Sequence, residues 1–542
     1  MEKFFAKTKN VIFSKQGSIV SSALILSVMI IASRFFGFVR YRTLASFFTK
    51  EDLDVFFASF RIPDLVFEIL ITGALTSTFI PIFIRYQKNK KELSESISTI
   101  INSIFLCLVL FIIVLCIFLD ILMPFIAPGY STAKNEQIVY YSRLLLLGQL
   151  PFLVLGNFLT GIGQANKTFL LTAIAPILYN VAIIVATIFF ASKLFLLAPI
   201  LGVIAGAFIF LIIQIPLLAH SDFTYAFVIK RTRGLVEFFR MMIPRAFTVI
   251  VAQIDATVDL TLTTFLGAGA YTVFYLAQHL QLLPVSVIGI AFGQASLPYL
   301  SEMYAQGKNE DFKNVVTGSI LNLFFLTIPF MSFFVFARTP LVRLFFGGQK
   351  FDWDGTVLTA ITLSYFSISL PFHSIYYFLT RCFYALLDSR TPFYISIFSI
   401  AVNTGLSLLF VFVFHFPVWA LAISFSTSMI INVILLFFIL SRRLKNIEFG
   451  FIFRETVKIS IATFVASLGS YYVMKLLDGL VFDTTRTLQV FFLLMVGGVI
   501  YVSLFILLSW LLEVKEIFLI SKLFTKAKEY QKKFIEIYTN YE

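Results

Sequence analysis

Residues 54–73 read DVFFASFRIPDLVFEILITG. A helix needs about 20 residues to cross the hydrocarbon core of a bilayer, and this stretch is long and apolar enough to do so. It nevertheless carries Asp54, Arg61, Asp64 and Glu68, at offsets of 0, 7, 10 and 14 residues. At about 100° per residue those offsets share one narrow face. Pro63 interrupts the helix beside them, so the face is expected to bend. A charge at mid-bilayer is expensive and normally faces a wet cavity or a partner. Two compatible readings follow: a neutralised cluster of Arg61 with Asp64 and Glu68, or a cavity-lining face.

The rest of the 542-residue chain fits a membrane setting. Apolar residues make up 59%, charged residues 13%, and the mean hydropathy is +0.93. Soluble domains run about 45–50% apolar and about 25% charged. The predicted fold is an all-α polytopic membrane protein with about fourteen transmembrane helices. Expected spans are 18–38, 54–86, 97–123, 138–162, 169–191, 196–219, 236–266, 270–304, 315–337, 356–386, 392–414, 417–441, 456–475 and 487–512. With the N-terminus placed in the cytoplasm, 28 of the 42 basic residues fall in inside segments and ten in outside loops. That is the positive-inside bias, and it puts both termini in the cytoplasm. The net charge of +13 is thus a topology signal rather than a sign of nucleic-acid binding. The first apolar run lacks a small-residue cleavage site and reads as a retained span. Cys107, Cys116 and Cys382 lack metal-ligand spacing and read as inert thiols.

Internal similarity organises the spans. Leu150-Pro151-Phe152 returns as Leu370-Pro371-Phe372, and Phe158-Leu159-Thr160 as Phe378-Leu379-Thr380, both displaced by 220 residues. Asn180 is echoed by Asn403. Six spans per copy make the two lobes parallel repeats, and two further C-terminal helices lie outside the repeat. The expected segments are a cytoplasmic N-terminus (1–17), an N-lobe (18–220), an inter-lobe loop (221–235) and a C-lobe (236–441). Spans 13 and 14 (442–512) and a cytoplasmic tail (513–542) complete the chain. Apolar residues at helical spacing among lysines make that tail an amphipathic helix on the anionic membrane surface, or a solvated helix docked on the protein.

Further ionisable groups sit inside expected spans. Asp255 and Asp259 lie one turn apart on span 7, near Gln253. Two such acids repel unless a cation or proton lies between them, or unless Arg245 neutralises them. Arg143, near the outer end of span 4, is expected to snorkel. His279 belongs to a polar strip, Gln278, His279 and Gln281, ahead of Pro284; it reads as a hydrogen-bonding wall residue rather than a metal ligand. No nucleotide-binding GxxxxGK[ST] loop, GxSxG, HExxH or CxxC spacing occurs. The chain therefore reads as a transporter rather than an enzyme, driven by an ion gradient, membrane potential or substrate flux.

SRFFGFVR (33–40), DVFFASFRIPD (54–64) and GALTSTFIPIFIRY (73–86) resemble the opening of the MurJ/MviN lipid II flippases. GIGQANKTFLLTAIAPILYN (161–180), VAQIDATVDLTLTTFLGAGA (251–270), LPVSVIGIAFGQASLPYLSE (283–302) and RCFYALLDSRTP (381–392) extend the resemblance along nearly the whole chain. The family is similar to multidrug exporters of the MOP superfamily, with two added helices forming a lipid-tail groove. The resemblance implies flipping of undecaprenyl-pyrophosphate-linked lipid II by alternating access in the bacterial inner membrane. Alternatives are another polyprenyl-linked glycan or a cation-coupled exporter of the MATE kind. It implies substrate contact by Arg34, Arg40 and Asp54, arginine forks being suited to phosphate oxygens; the charged face of span 2 and the polar strip of span 8 add Arg61, Asp64, Glu68 and His279 as substrate-contact candidates. The family's sodium site between spans 7, 11 and 12 matches Asp259; with Asp255 one turn away and Asn403 on span 11, the expected ion coupling takes Asp259 and Asn403 as Na⁺ ligands, or a proton in place of Na⁺, and no other cofactor. The expected partners are the lipid substrate and membrane lipids, for a monomer working beside cell-wall synthesis proteins. The sequence departs from the family pattern at Tyr41, Phe67, Glu68, Thr72 and His279.

Overall fold

The computed structural model describes residues 19–71, 78–219, 221, 223–444, 447–483 and 486–518. The N-terminal segment 1–17, Thr72, and the expected tail helix from residue 519 onward lie outside the described residues. Every regular element among the described residues is a helix. Eleven helices among them are long and apolar enough to cross a membrane. The other three expected spans correspond to α1 (Ile19–Phe47), the interrupted run α2 (Lys50–Ser59), α3 (Arg61–Leu70) and α4 (Ile80–Tyr86), and α11 (Arg233–Thr264). The chain is a multi-pass α-helical membrane protein.

Chain contacts divide into two units: 1–273 with 345–355, and 274–344 with 356–542. The first unit contains α1 to α4, α5 (Lys90–Ile126), α6 (Thr132–Gly148), α7 (Leu150–Ala165), α8 (Leu170–Leu194), α9 (Leu197–Ile212), α10 (Pro216–Ala219) and α11. The sequence reading put the lobe boundary at the 221–235 loop. The compact unit instead runs on to Val273, because α11 packs on α5 and α3. The segment 345–355 joins the same unit: the Phe345 ring lies tilted against Phe38 with centroids 4.6 Å apart, and the Phe351 amide donates to the Ala45 carbonyl at 3.1 Å.

Helix α2 begins with a capping box. The Thr49 hydroxyl accepts from the Asp52 amide, while the Asp52 carboxylate accepts from the Thr49 amide. The helix breaks at Phe60, so the single face drawn from residues 54–68 is split between α2 and α3. Pro63 sits in the first turn of α3, where its missing N–H costs no hydrogen bond.

The second unit holds α12 (Ala270–Pro284) from Phe274 on, a π-helical turn (Val285–Ile290), α13 (Ala291–Ala305), α14 (Asn309–Phe336) and α15 (Arg338–Phe346) as far as Leu344. It continues with α16 (Trp353–Ala385), α17 (Arg390–Leu408), α18 (Trp419–Arg443), α19 (Phe449–Leu480) and α20 (Thr487–Leu511). A large apolar core joins Phe312 and Leu323 on α14 to Phe378 and Phe383 on α16 and Leu436 on α18. A smaller one packs Phe325 against Ile459, Tyr501 and Phe505, fixing α19 and α20 on α14.

The repeat is visible inside each unit. After α7, Lys167 turns left-handed (φ 61°) and the Thr168 amide donates to Gly163 O; after α16, Leu387 does so (φ 59°) and the Asp388 amide donates to Phe383 O. Every member of the two sets is displaced by 220 residues. Phe195 (φ 49°) and His415 (φ 53°) form a second such pair. Left-handed backbone at a non-glycine residue is uncommon. Two coincidences at one displacement therefore mark copies of one helical pattern.

Candidate functional site

Asp54 is wholly buried, yet its carboxylate is fully served. Lys134 Nζ (3.0 Å) and the Gly269 amide (2.7 Å) donate to Oδ2; the Thr272 amide (2.8 Å) and hydroxyl (2.9 Å) donate to Oδ1. A buried carboxylate is tolerable when partners replace its hydration in this way. The turn that supplies these amides needs glycine: Gly269 has φ +82°, and a Cβ there would lie 2.4 Å from the Lys50 side chain. The Lys134 ammonium also sits 4.0 Å over the Tyr130 ring. Nearby, Lys50 pairs with Asp352 (2.9 Å) and Asp354 (3.0 Å) on the 345–355 segment.

Arg61 crosses to α11 rather than folding onto its own helix. Nε donates to Thr257 Oγ1 (3.1 Å), and Nη2 donates to both the Gln253 carbonyl (2.8 Å) and Gln253 Oε1 (2.7 Å). Among the described residues Arg61 forms no ion pair with Asp64 or Glu68; its guanidinium hydrogen bonds go to α11 instead. Nη1 has no hydrogen-bond partner among the described residues. Arg61 is buried, and its charge is felt by Asp64, by Asp259 on α11 and by Tyr271. Arg40, half-buried with its guanidinium 4.6 Å from the Tyr41 ring, acts in turn on Asp64 and Tyr179. The first unit thus links Arg40, Arg61, Asp64 and Asp259 in one electrostatic neighbourhood that also reaches Tyr179 and Tyr271.

Glu68 and Asp255 also act on this neighbourhood, through Asp64 and Asp259. Arg34 is exposed on α1, while Glu68 is half-buried on α3. Asp255 is half-buried one turn before buried Asp259 and within its electrostatic reach. Arg143 pairs with Asp120 on α5 and donates to the Cys116 carbonyl. His279 and Asn403 belong to the second unit. The His279 ring stacks on Tyr275 (3.9 Å) with Nδ1 2.8 Å from the Tyr275 carbonyl, and Asn403 is buried on α17. His373, which the sequence reading passed over, lies 3.4 Å from Gln281 in a buried group with Ser369. Lys134, Thr257 and Tyr179 were likewise missed. No group of three or more His, Cys, Asp or Glu residues able to hold a metal ion occurs among the described residues.

The family model described as "Lipid II flippase MurJ" matches residues 44–508. The "Probable lipid II flippase MurJ" of Thermotoga maritima is 27% identical over 505 residues, spanning 92% of this chain and 98% of that protein. A solved "Lipid II flippase MurJ, inward closed conformation" aligns with TM-score 0.74 at 22% identity, over 90% of this chain and 99% of the other. An inward-facing multidrug MATE transporter of the MOP superfamily aligns with TM-score 0.66 at 14% identity, over 78% and 98%. At those identities the structures speak for the fold. The family match, by contrast, runs through both units and takes in every expected site residue except Arg34 and Arg40, and on it the chain belongs to the MurJ lipid II flippase family.

Proposed function

We propose that this chain moves lipid II, the undecaprenyl-pyrophosphate-linked peptidoglycan precursor, from the cytoplasmic to the outer leaflet by alternating access. The observation that carries the reading is Arg61: a buried guanidinium clamped by Gln253 and Thr257, with Nη1 left over as a donor among the described residues. Arginine presents paired donors that match phosphate oxygens, and clamping lowers the entropy lost on binding. Arg40, whose charge also reaches Asp64, adds a second cation beside Arg61, while Arg34 on α1 and His279 in the second unit are separately testable candidates for head-group contact. The protein works in the bacterial cytoplasmic membrane as a monomer, with both termini in the cytoplasm and alongside cell-wall synthesis proteins.

Resetting draws on a cation. The Asp255 and Asp259 carboxylates suit Na⁺ or a proton, being hard oxygen donors one turn apart, and Asn403 is a second, independently testable position.

The test is complementation of a bacterium depleted of its own lipid II flippase, with lipid II in the outer leaflet labelled from outside. The wild-type chain restores growth and labelling, and Arg61→Ala, inserted to the same level, restores neither. A wild-type chain that reaches the membrane and leaves labelling at background overturns the proposal.

A further inference from the structure

Residues 223–230, FTYAFVIK, form an extended segment laid along α5. Side chains of one helix face hold its backbone. The Thr224 amide donates to Ser94 Oγ (3.2 Å), the Ala226 amide to Ser98 Oγ (2.9 Å) and the Lys230 amide to Thr99 Oγ1 (3.4 Å). Asn102 Nδ2 donates to the carbonyls of Ala226 (3.1 Å) and Val228 (3.0 Å). Ser94, Ser98 and Asn102 recur every fourth residue, so one stripe of α5 replaces the missing neighbour strand. Non-helical backbone beside a bilayer survives only when protein groups satisfy it in this way.

Side chains of an extended chain alternate between faces. Phe223, Tyr225, Phe227 and Ile229 therefore share one side, where they wall a cavity of about 550 Å³ whose other walls come from α5, α7, α9 and α10. The volume lies within the roughly 300–1,000 Å³ typical of small-molecule pockets. Its lining is apolar apart from Asn102 and the Tyr225 hydroxyl, which bond each other at 2.7 Å. The chain that closes this cavity continues into Lys230, Arg231 and Arg233. Lys230 pairs with Glu95 (3.3 Å), whereas Arg231 and Arg233 are exposed and no carboxylate among the described residues pairs with them.

An apolar slot with unneutralised cations at the end of its wall is complementary to a lipid chain carrying a phosphate. We infer that the cavity holds one acyl chain of an anionic glycerophospholipid, with its phosphate on Arg231 and Arg233. Under the proposed topology this lipid comes from the cytoplasmic leaflet, whose anionic surface attracts basic segments beside membrane helices. The site lies wholly within the first unit, on the segment that leads into α11. A seated lipid would brace that segment, and its occupancy is independent of which lipid-linked precursor the protein moves.

The experiment is native mass spectrometry of the detergent-purified full chain, titrated separately with dioleoyl phosphatidylglycerol, dioleoyl phosphatidylcholine, a polyprenyl monophosphate and inorganic phosphate. The expected result is a single saturable phosphatidylglycerol adduct that phosphatidylcholine and inorganic phosphate do not displace. Arg231→Gln and Arg233→Gln each weaken it roughly fivefold. Leu106→Trp, at a half-exposed lining position where added bulk leaves the core untouched, removes it while the arginines remain. Equal affinity for phosphatidylcholine, or an adduct that survives all three substitutions, overturns the inference. Preferential displacement by the polyprenyl phosphate overturns the assignment to a glycerophospholipid. Displacement by inorganic phosphate overturns the acyl-chain assignment. Because no arm measures flipping, failure here leaves the transport proposal standing.

Discussion

Arg61 on α3 holds Gln253 on α11 through two acceptors at once, the backbone carbonyl at 2.8 Å and the side-chain oxygen at 2.7 Å. A carbonyl within a helix already accepts from the residue four positions on, so Arg61 docks onto α11 without breaking it. Gln253→Ala removes one of the three charge-assisted bonds from Arg61 and is expected to cost roughly 1.5–3 kcal/mol, read as a lower unfolding temperature in detergent. Arg61→Lys keeps the charge and loses the fork. It is expected to fold and to fail in complementation, and normal growth with lysine would show that charge alone suffices.

Asp54 and Lys134 permit a cleaner energetic test. Lys134→Met leaves the wholly buried Asp54 carboxylate with only its amide and hydroxyl donors, an uncompensated charge worth about 3–5 kcal/mol. Asp54→Asn, Lys134→Met and the double variant form a thermodynamic cycle. The double variant is expected to be more stable than Lys134→Met alone, because it removes the charge together with its partner. Simple additivity would show that the 3.0 Å ion pair contributes nothing.

Apolar period and charge placement made the helical class, the repeat and the membrane setting legible, because each depends on residues near in sequence. The partners of the buried charges were not legible. Lys134 lies 80 residues from Asp54 and Gln253 lies 192 from Arg61, and no local spacing encodes which helices will touch. The break at Phe60 explains the misread face of residues 54–68: its charges separate onto two helices. The segment 223–230 was read as loop because it has alternation but no second strand. Its signal was the Ser94, Ser98, Asn102 stripe, polar groups recurring every fourth residue towards the apolar run of α5.

Acid should loosen the turn between α16 and α17. Asp388 is largely shielded from water, which pushes its carboxyl upward, but the Thr391 hydroxyl, the Thr391 and Arg390 amides and the Arg443 charge outweigh this and hold it below the usual carboxylate range. A depressed folded value means stability present above about pH 4 and lost as pH falls through the lower folded value. The difference in unfolding temperature between wild type and Asp388→Asn is expected to shrink as pH drops from 6 towards 3. A constant difference would assign the effect to the amide's altered hydrogen bonds.

Orientation is tested with single cysteines in a background lacking Cys107, Cys116 and Cys382. Exposed Lys350→Cys should react with an impermeant maleimide in intact cells, and exposed Lys90→Cys only after permeabilisation. The opposite pattern inverts the topology and places the basic loops outside.

Asp259 is buried on α11, Asp255 lies one turn away and half-buried, and Arg61 acts on Asp259 while bonded to Gln253 and Thr257 on the same helix. A cation or proton at these acids changes the charge that Arg61 faces. Bound ions shift a conformational equilibrium only through differential affinity for its states, so this electrostatic link is where such a difference would arise. Flux of labelled lipid II into the outer leaflet of vesicles should respond to a Na⁺ gradient or a pH gradient when the two are varied independently. Asp259→Asn keeps the shape and loses the titratable charge; it should lower flux about tenfold, equivalent to about 1.4 kcal/mol, and abolish the response to whichever gradient matters. Asn403→Ala, run in parallel, tests the buried amide of the second unit separately. Gradient-independent flux that Asp259→Asn leaves unchanged would make both acids structural and tie resetting to substrate release alone.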